Sequence, residues 1–211
     1  MKAVDSHLLT LLKKSSQFIV PIYQRVYSWQ ESECEQLWSD ILRAGVTDRM
    51  GAHFTGSIVY VARGQSTNTS AEPDLIIDGQ QRVTTVTLVL AALAQHLDTL
   101  PEGEREPWDG FSPKKIRNRY LLNDDEDGER QFKLVLSQGD RDALKAIVLG
   151  AEPDDDIPTR VTTNFQFFRN KFSDPALDLA ALCRGLDKLV VVDVTLTRGV
   201  DNPQLVFEAM N

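Results

Sequence analysis

LIIDGQQRVTTVTLVLAAL, residues 75–93, decides how this chain is read. Leu75–Ile77 is short and fully apolar, which suits a buried strand. Asp78–Arg82 (DGQQR) is the turn that follows, with Gly79 permitting a tight bend and close backbone approach. Val83–Leu100 reads as a long apolar helix. A helix start leaves its first amides unpaired, and the helix dipole favours an anion there. Arg82 in the first turn can add a two-pronged contact to phosphate oxygens. Gln is an indifferent helix cap, so Gln80 and Gln81 read as groups that orient a phosphate, a water or a base. Asp78 reads as an acceptor for a ribose hydroxyl or as a metal ligand. The plain alternative makes Asp78 a cap and Arg82 a surface ion pair. No GxxxxGK[ST] stretch occurs, so this is not a Walker loop.

Working outward toward the N-terminus, His53–Ala62 (HFTGSIVYVA) is rich in β-branched residues and reads as a strand. Gly64–Pro73 is a polar turn region between it and Leu75. A helix opens at Ser28 or Gln30, with Cys34, Leu37, Trp38, Ile41 and Leu42 as its buried stripe. Before it lies FIVPIYQRVYSW, residues 18–29. Gln17–Val20 reads as a strand stopped by Pro21, and Pro21–Trp29 as an aromatic loop. Aromatic rings stack on bases, and Arg and Gln read base edges or phosphate. Core packing accounts for Tyr27 and Trp29 equally well; it accounts less well for Tyr23, Gln24 and Arg25. Residues 5–14 read as a helix capped by Asp5 or Ser6.

Toward the C-terminus the chain changes character. Residues 101–186 read as a mostly helical insertion, with helices at Lys114–Leu122, Ser137–Leu149, Thr159–Phe172 and Pro175–Leu186 and a strand at Gln131–Leu136. Lys188–Thr197 (KLVVVDVTLT) is the clearest strand, and a helix is expected from Pro203. The basic stretch Lys114–Arg119 reads as a solvated helix face, and the acidic runs Asp124–Glu129 and Asp154–Asp156 as solvated loops. The expected class is α+β: a small mixed sheet with helices, formed by residues of about 15–100 and 187–211, in one domain over 1–211.

With 211 residues, 42% apolar and 26% charged, a packed core is expected. The 23 Lys and Arg against 31 Asp and Glu give a formal net charge of −8, which excludes DNA binding by bulk charge but not by a local basic site. No apolar run is long enough to span a bilayer, and the N-terminus lacks the apolar centre of a signal peptide. A cytoplasmic protein is expected. Cys34 and Cys183 form no CxxC pair, and His53 has no second His or paired Cys for a metal site, so a structural role is the ordinary reading for it. The ending LVFEAMN is apolar and helix-like, as in a piece of a longer protein.

The ordered set F-x-V-P-x-Y-Q-R-x-Y-x-W, LWSDI, HFTGSIV and IDGQQRVTT resembles the N-terminal domain of GmrSD- and SspE-type proteins. These are bacterial modification-dependent restriction and phage-defence proteins. The resemblance is close over residues 17–95, and FKLVLSQGDRDAL (132–144) and LVFEAMN (205–211) also look like the family. It implies a ParB/sulfiredoxin-like fold, in which a Gly-containing turn ending in Arg holds nucleotide phosphates. It implies binding of GTP or ATP through Gly79, Gln81, Arg82 and Arg25, and hydrolysis carried by Asp78, Gln80, Gln81 and Arg82, with Mg2+ and Asp78 as the candidate ligand. By the same resemblance Pro21, Tyr23, Gln24 and Arg25 sense modified DNA, for example phosphorothioate DNA, and a C-terminal nuclease domain responds. Glu208 and Asn211 look like the start of a second family motif. Two other readings compete: a DNA-recognition module without nucleotide hydrolysis, in which Arg82 grips a backbone phosphate, and a protein-interaction scaffold.

Overall fold

β-Branched runs build the sheet and one apolar helix anchors it. In the computed structural model, described for residues 1–47, 51–62, 72–152, 158–202 and 205, the strands are β1 (Lys2–His7), β2 (Phe18–Ile19), β3 (His53–Ala62), β4 (Asp74–Asp78), β5 (Leu134–Val135) and β6 (Leu189–Thr197). The helices are α1 (Leu8–Lys14), α2 (Glu31–Val46), α3 (Gln80–Thr99), α4 (Pro113–Ile116), α5 (Gln138–Val148), α6 (Arg160–Phe172) and α7 (Leu179–Asp187). The fold is mixed α and β, as expected. The sheet runs β1-β6-β3-β4-β2-β5. β1 pairs antiparallel with β6, and β3 antiparallel with β4; the β3–β6, β2–β4 and β2–β5 pairs are parallel.

α3 is buried nearly all round. Val83, Val86, Leu90, Leu93 and Leu97 are buried, and so are Thr84, Thr85 and Thr87 on its other sides. A helix apolar on every side belongs in a core. Its threonines keep their hydroxyls satisfied inside the helix: Thr85 Oγ1 donates to Gln81 O at 2.8 Å and Thr87 Oγ1 to Val83 O at 2.9 Å. α2 packs its stripe of Cys34, Leu37, Trp38 and Ile41 into the same core, where Trp38 meets Phe168 and Phe172 of α6. Leu42 is only partly buried. Cys34 and Cys183 are free and buried.

Four local expectations differ from the structure: the helix expected from Pro175 begins at Leu179, the strand expected over Gln131–Leu136 shortens to Leu134–Val135, and two others change type. Residues 2–7 form an edge strand, and the first helix begins at Leu8 rather than at residue 5. Lys114–Leu122 is a single α turn that widens into a π turn over Arg117–Leu121. Residues 101–186 also give the sheet an edge, since β5 pairs with β2. No described helix is long and apolar enough to cross a membrane. The polar region 64–73 lies mostly outside the described residues. So do the run Asp154–Asp156 and the C-terminal segment with Glu208 and Asn211.

Candidate functional site

β4 delivers the chain to Gly79, which adopts φ 87° and ψ 4°. A Cβ there would lie 2.7 Å from Ser57 O and 3.1 Å from Ile58 Cα. Both the left-handed backbone and the close approach to β3 therefore call for glycine. No side chain caps the helix that follows, so its first amides keep no partner within the helix.

Residues in a first helical turn point about 100° apart, and the motif divides accordingly. Gln80 and Gln81 turn toward the Pro21–Trp29 loop. Gln80 Nε2 donates to Arg25 O at 2.8 Å. Gln81 Oε1 accepts from the amides of Ser28 (2.8 Å) and Trp29 (3.1 Å), while its Nε2 donates to Val26 O at 3.1 Å. Both glutamines are buried, at 7% and 5% exposure. Gln24 completes the bond set from the loop side, its Nε2 donating to Ile77 O at 2.9 Å.

More distant residues hold the same loop. The Tyr27 amide donates to Asp140 Oδ2 at 2.9 Å. The Tyr27 hydroxyl sits 2.7 Å from Thr85 Oγ1, and Asn164 Nδ2 donates to that hydroxyl (2.9 Å) and to Trp29 O (2.8 Å). Burial raises the Tyr27 phenol well above its ordinary value, with Cys34 adding to the rise. Desolvation likewise pushes the Asp140 carboxyl up, against the pull of the Tyr27 amide. Fastened in this way, the loop turns Ile22, Tyr23, Arg25 and Val26 to solvent, with Tyr23 71% exposed, while Pro21 is buried. Arg25 joins the turn through its carbonyl oxygen, which Gln80 engages.

Arg82 turns the other way. Its Nη1 donates to Ser57 O at 2.8 Å. The register of β3 against β6 shifts between Phe54 and Ser57, and Gly56 sits in that irregularity. A Cβ on Gly56 would lie 2.6 Å from Arg82 Nη2, so the glycine leaves the guanidinium its place. Desolvation lowers the Arg82 pKa, and the neighbouring Asp78 carboxylate opposes that fall. Asp78 itself is half-buried at the end of β4, paired across the sheet with Val59.

Arg82 lines an open cleft of about 430 Å³. Trp29 from the loop, Glu33, Gln36 and Asp40 from α2, and His53–Gly56 from β3 form its walls. His53 Nε2 lies 3.5 Å from Asp40 Oδ2. Asp40 Oδ1 accepts from Gln36 Nε2 (3.1 Å) and Arg43 Nη2 (2.5 Å). His53 is thus placed beside a carboxylate in a cleft that Arg82 shares, which its isolation in the sequence did not signal. Asp140, Thr85 and Asn164 were also missed as loop anchors, since they lie 58 to 137 residues from Tyr27.

The basic stretch near residue 115 carries ion pairs: Lys115 with Glu106 (2.5 Å) and Asp109 (3.7 Å), and Arg117 with Asp98. Among the described residues no three His, Cys, Asp or Glu side chains gather to hold a metal ion. Asp78 is the carboxylate that the turn offers.

The family model described as GmrSD restriction endonuclease, N-terminal domain, matches residues 8–211. No match is found among curated proteins. The chain belongs to the family of GmrSD restriction endonuclease N-terminal domains.

Proposed function

From membership in that restriction and defence family, we propose that the domain binds a nucleoside triphosphate, GTP or ATP, at Asp78–Arg82 and hydrolyses it. The observation that carries this reading is the uncapped start of α3 after Gly79, with Arg82 in its first turn beside an open cleft. Three features of that start suit phosphate: unpaired amides, the positive end of a helix dipole, and a guanidinium able to make paired contacts. A ParB/sulfiredoxin-like use of the turn is compatible with the mixed sheet. Hydrolysis needs neutralised phosphate charge and a positioned water. Mg2+ is commonly held by one or two carboxylates together with substrate phosphates, and Asp78 fits that shared mode. Such an ion supplies charge neutralisation on the phosphate oxygens.

The loop Pro21–Arg25 senses modified DNA, for example phosphorothioate DNA. Tyr23 and Arg25 present the contact surface, and Gln24 ties that surface to β4 through Ile77 O. A C-terminal nuclease domain in the complete protein is the effector. The net charge of −8 confines DNA contact to one face and makes it strongly salt-dependent.

Phosphate release from GTP, ATP and CTP, with and without modified duplex, tests the proposal. Wild-type chain turns over one of the three, and Arg82→Ala loses binding and turnover while its circular dichroism stays native. Equal turnover by a folded Arg82→Ala protein contradicts the proposal. Binding of modified duplex with no nucleotide binding favours the DNA-recognition reading instead.

A further inference from the structure

The cleft that Arg82 lines also carries an imidazole held beside a carboxylate. His53 opens β3, three residues before Gly56, against which Arg82 lies. His53 and Arg82 line the same cleft of about 430 Å³, a volume in the range of small-molecule sites. The His53 amide is fixed by Lys188 O at 2.7 Å. Its ring lies 3.5 Å from Asp40 Oδ2, while Arg43 and Gln36 hold the other oxygen of that carboxylate. With Nε2 as the donor toward Asp40, Nδ1 keeps its lone pair. An imidazole oriented by a carboxylate is the usual pairing for proton abstraction.

We infer that His53 is the general base of this hydrolysis and Asp40 its positioning residue, an inference that rests on the nucleotide reading above. In the step, a water oxygen attacks the γ-phosphorus and the bond from that phosphorus to the β,γ-bridging oxygen breaks. The proton leaves the water for His53 Nδ1. The nucleoside diphosphate departs with the bond pair on its bridging oxygen, where Arg82 offsets the developing charge. Asp40 steadies the imidazolium. Among the described residues the charged groups around His53 are Asp40, Arg43 and Glu33 on α2, Arg82 on α3, and Lys188 just before β6; the Lys188 ammonium donates to Ala44 O and Thr47 O.

The test measures nucleotide affinity, turnover and its pH dependence for wild type, His53→Gln, His53→Ala and Asp40→Asn. General-base loss typically costs 10²- to 10⁴-fold in rate. His53→Gln is expected to lose turnover by roughly that factor with affinity nearly unchanged. Its acid limb in the pH–rate profile disappears, and added imidazole restores part of the His53→Ala rate. Asp40→Asn keeps the fold and moves the acid limb. A His53→Gln protein with wild-type turnover and an unchanged pH profile overturns the inference while leaving the nucleotide reading intact. Wild-type chain that binds no nucleotide overturns both.

Discussion

Gln80 and Gln81 share the first turn of α3 with Arg82 but point to another side of it, and that difference in direction separates two kinds of surface. On the glutamine side both side chains bond the backbone of a loop whose outward face is Ile22, Tyr23, Arg25 and Val26. On the arginine side a charged group borders an open cleft with His53 and Asp40 in its wall. The glutamines fasten the loop and the arginine borders the cleft. One helix start therefore stands between the two surfaces, and two glutamine side chains tie it to the loop.

The sharpest way to break this comparison is Gln81→Ala. It strands two loop amides and one loop carbonyl, at about 3 kcal/mol. The melting temperature of a chain this size then falls by roughly 6–12 °C. Hydrogen exchange at residues 26–29 accelerates and the response to modified DNA is lost, while nucleotide affinity stays within about threefold. Equal loss on both sides would show that the surfaces are not separable.

Tyr27→Phe is next. It removes the hydroxyl that Thr85 and Asn164 share, and costs about 1–2 kcal/mol in chemical denaturation. Asp140→Asn is smaller and carries a sign. Burial holds the Asp140 carboxyl above its ordinary range, so the folded chain binds more protons there than the unfolded chain. Wild-type stability therefore falls as pH rises from the ordinary carboxylate range through the raised folded value. The asparagine keeps an acceptor for the Tyr27 amide and removes that slope, leaving neutral-pH stability within about 1 kcal/mol of wild type. Denaturation curves from pH 4 to 8 check it. Tyr23→Ala changes stability least, within about 0.5 kcal/mol, yet weakens binding to modified duplex in a gel-shift titration.

Much of the fold was legible because its signals are local. The β-branched runs of β3 and β6, the stripe of α2 and the apolar run of α3 each sit within one element. β1 was not legible: Lys2–His7 is a polar, largely exposed edge, and the leucines after it impose helical spacing on any window that includes them. The motif at 78–82 stood out as a site, but the direction of each side chain did not. That direction depends on Gly79 and on a loop fastened by Asp140 and Asn164 from a region that read as a separate insertion. The His53–Asp40 pair was hidden for the same reason, since α2 and β3 bring together residues that no local pattern links.

The most direct test of the central claim is a crystal structure with a non-hydrolysable nucleoside triphosphate analogue. The account predicts phosphate density at the amides of Gln80–Arg82, within hydrogen-bond reach of the Arg82 guanidinium, with the glutamine–loop bonds intact. An analogue bound elsewhere, or an empty helix start at a saturating analogue concentration, would contradict it.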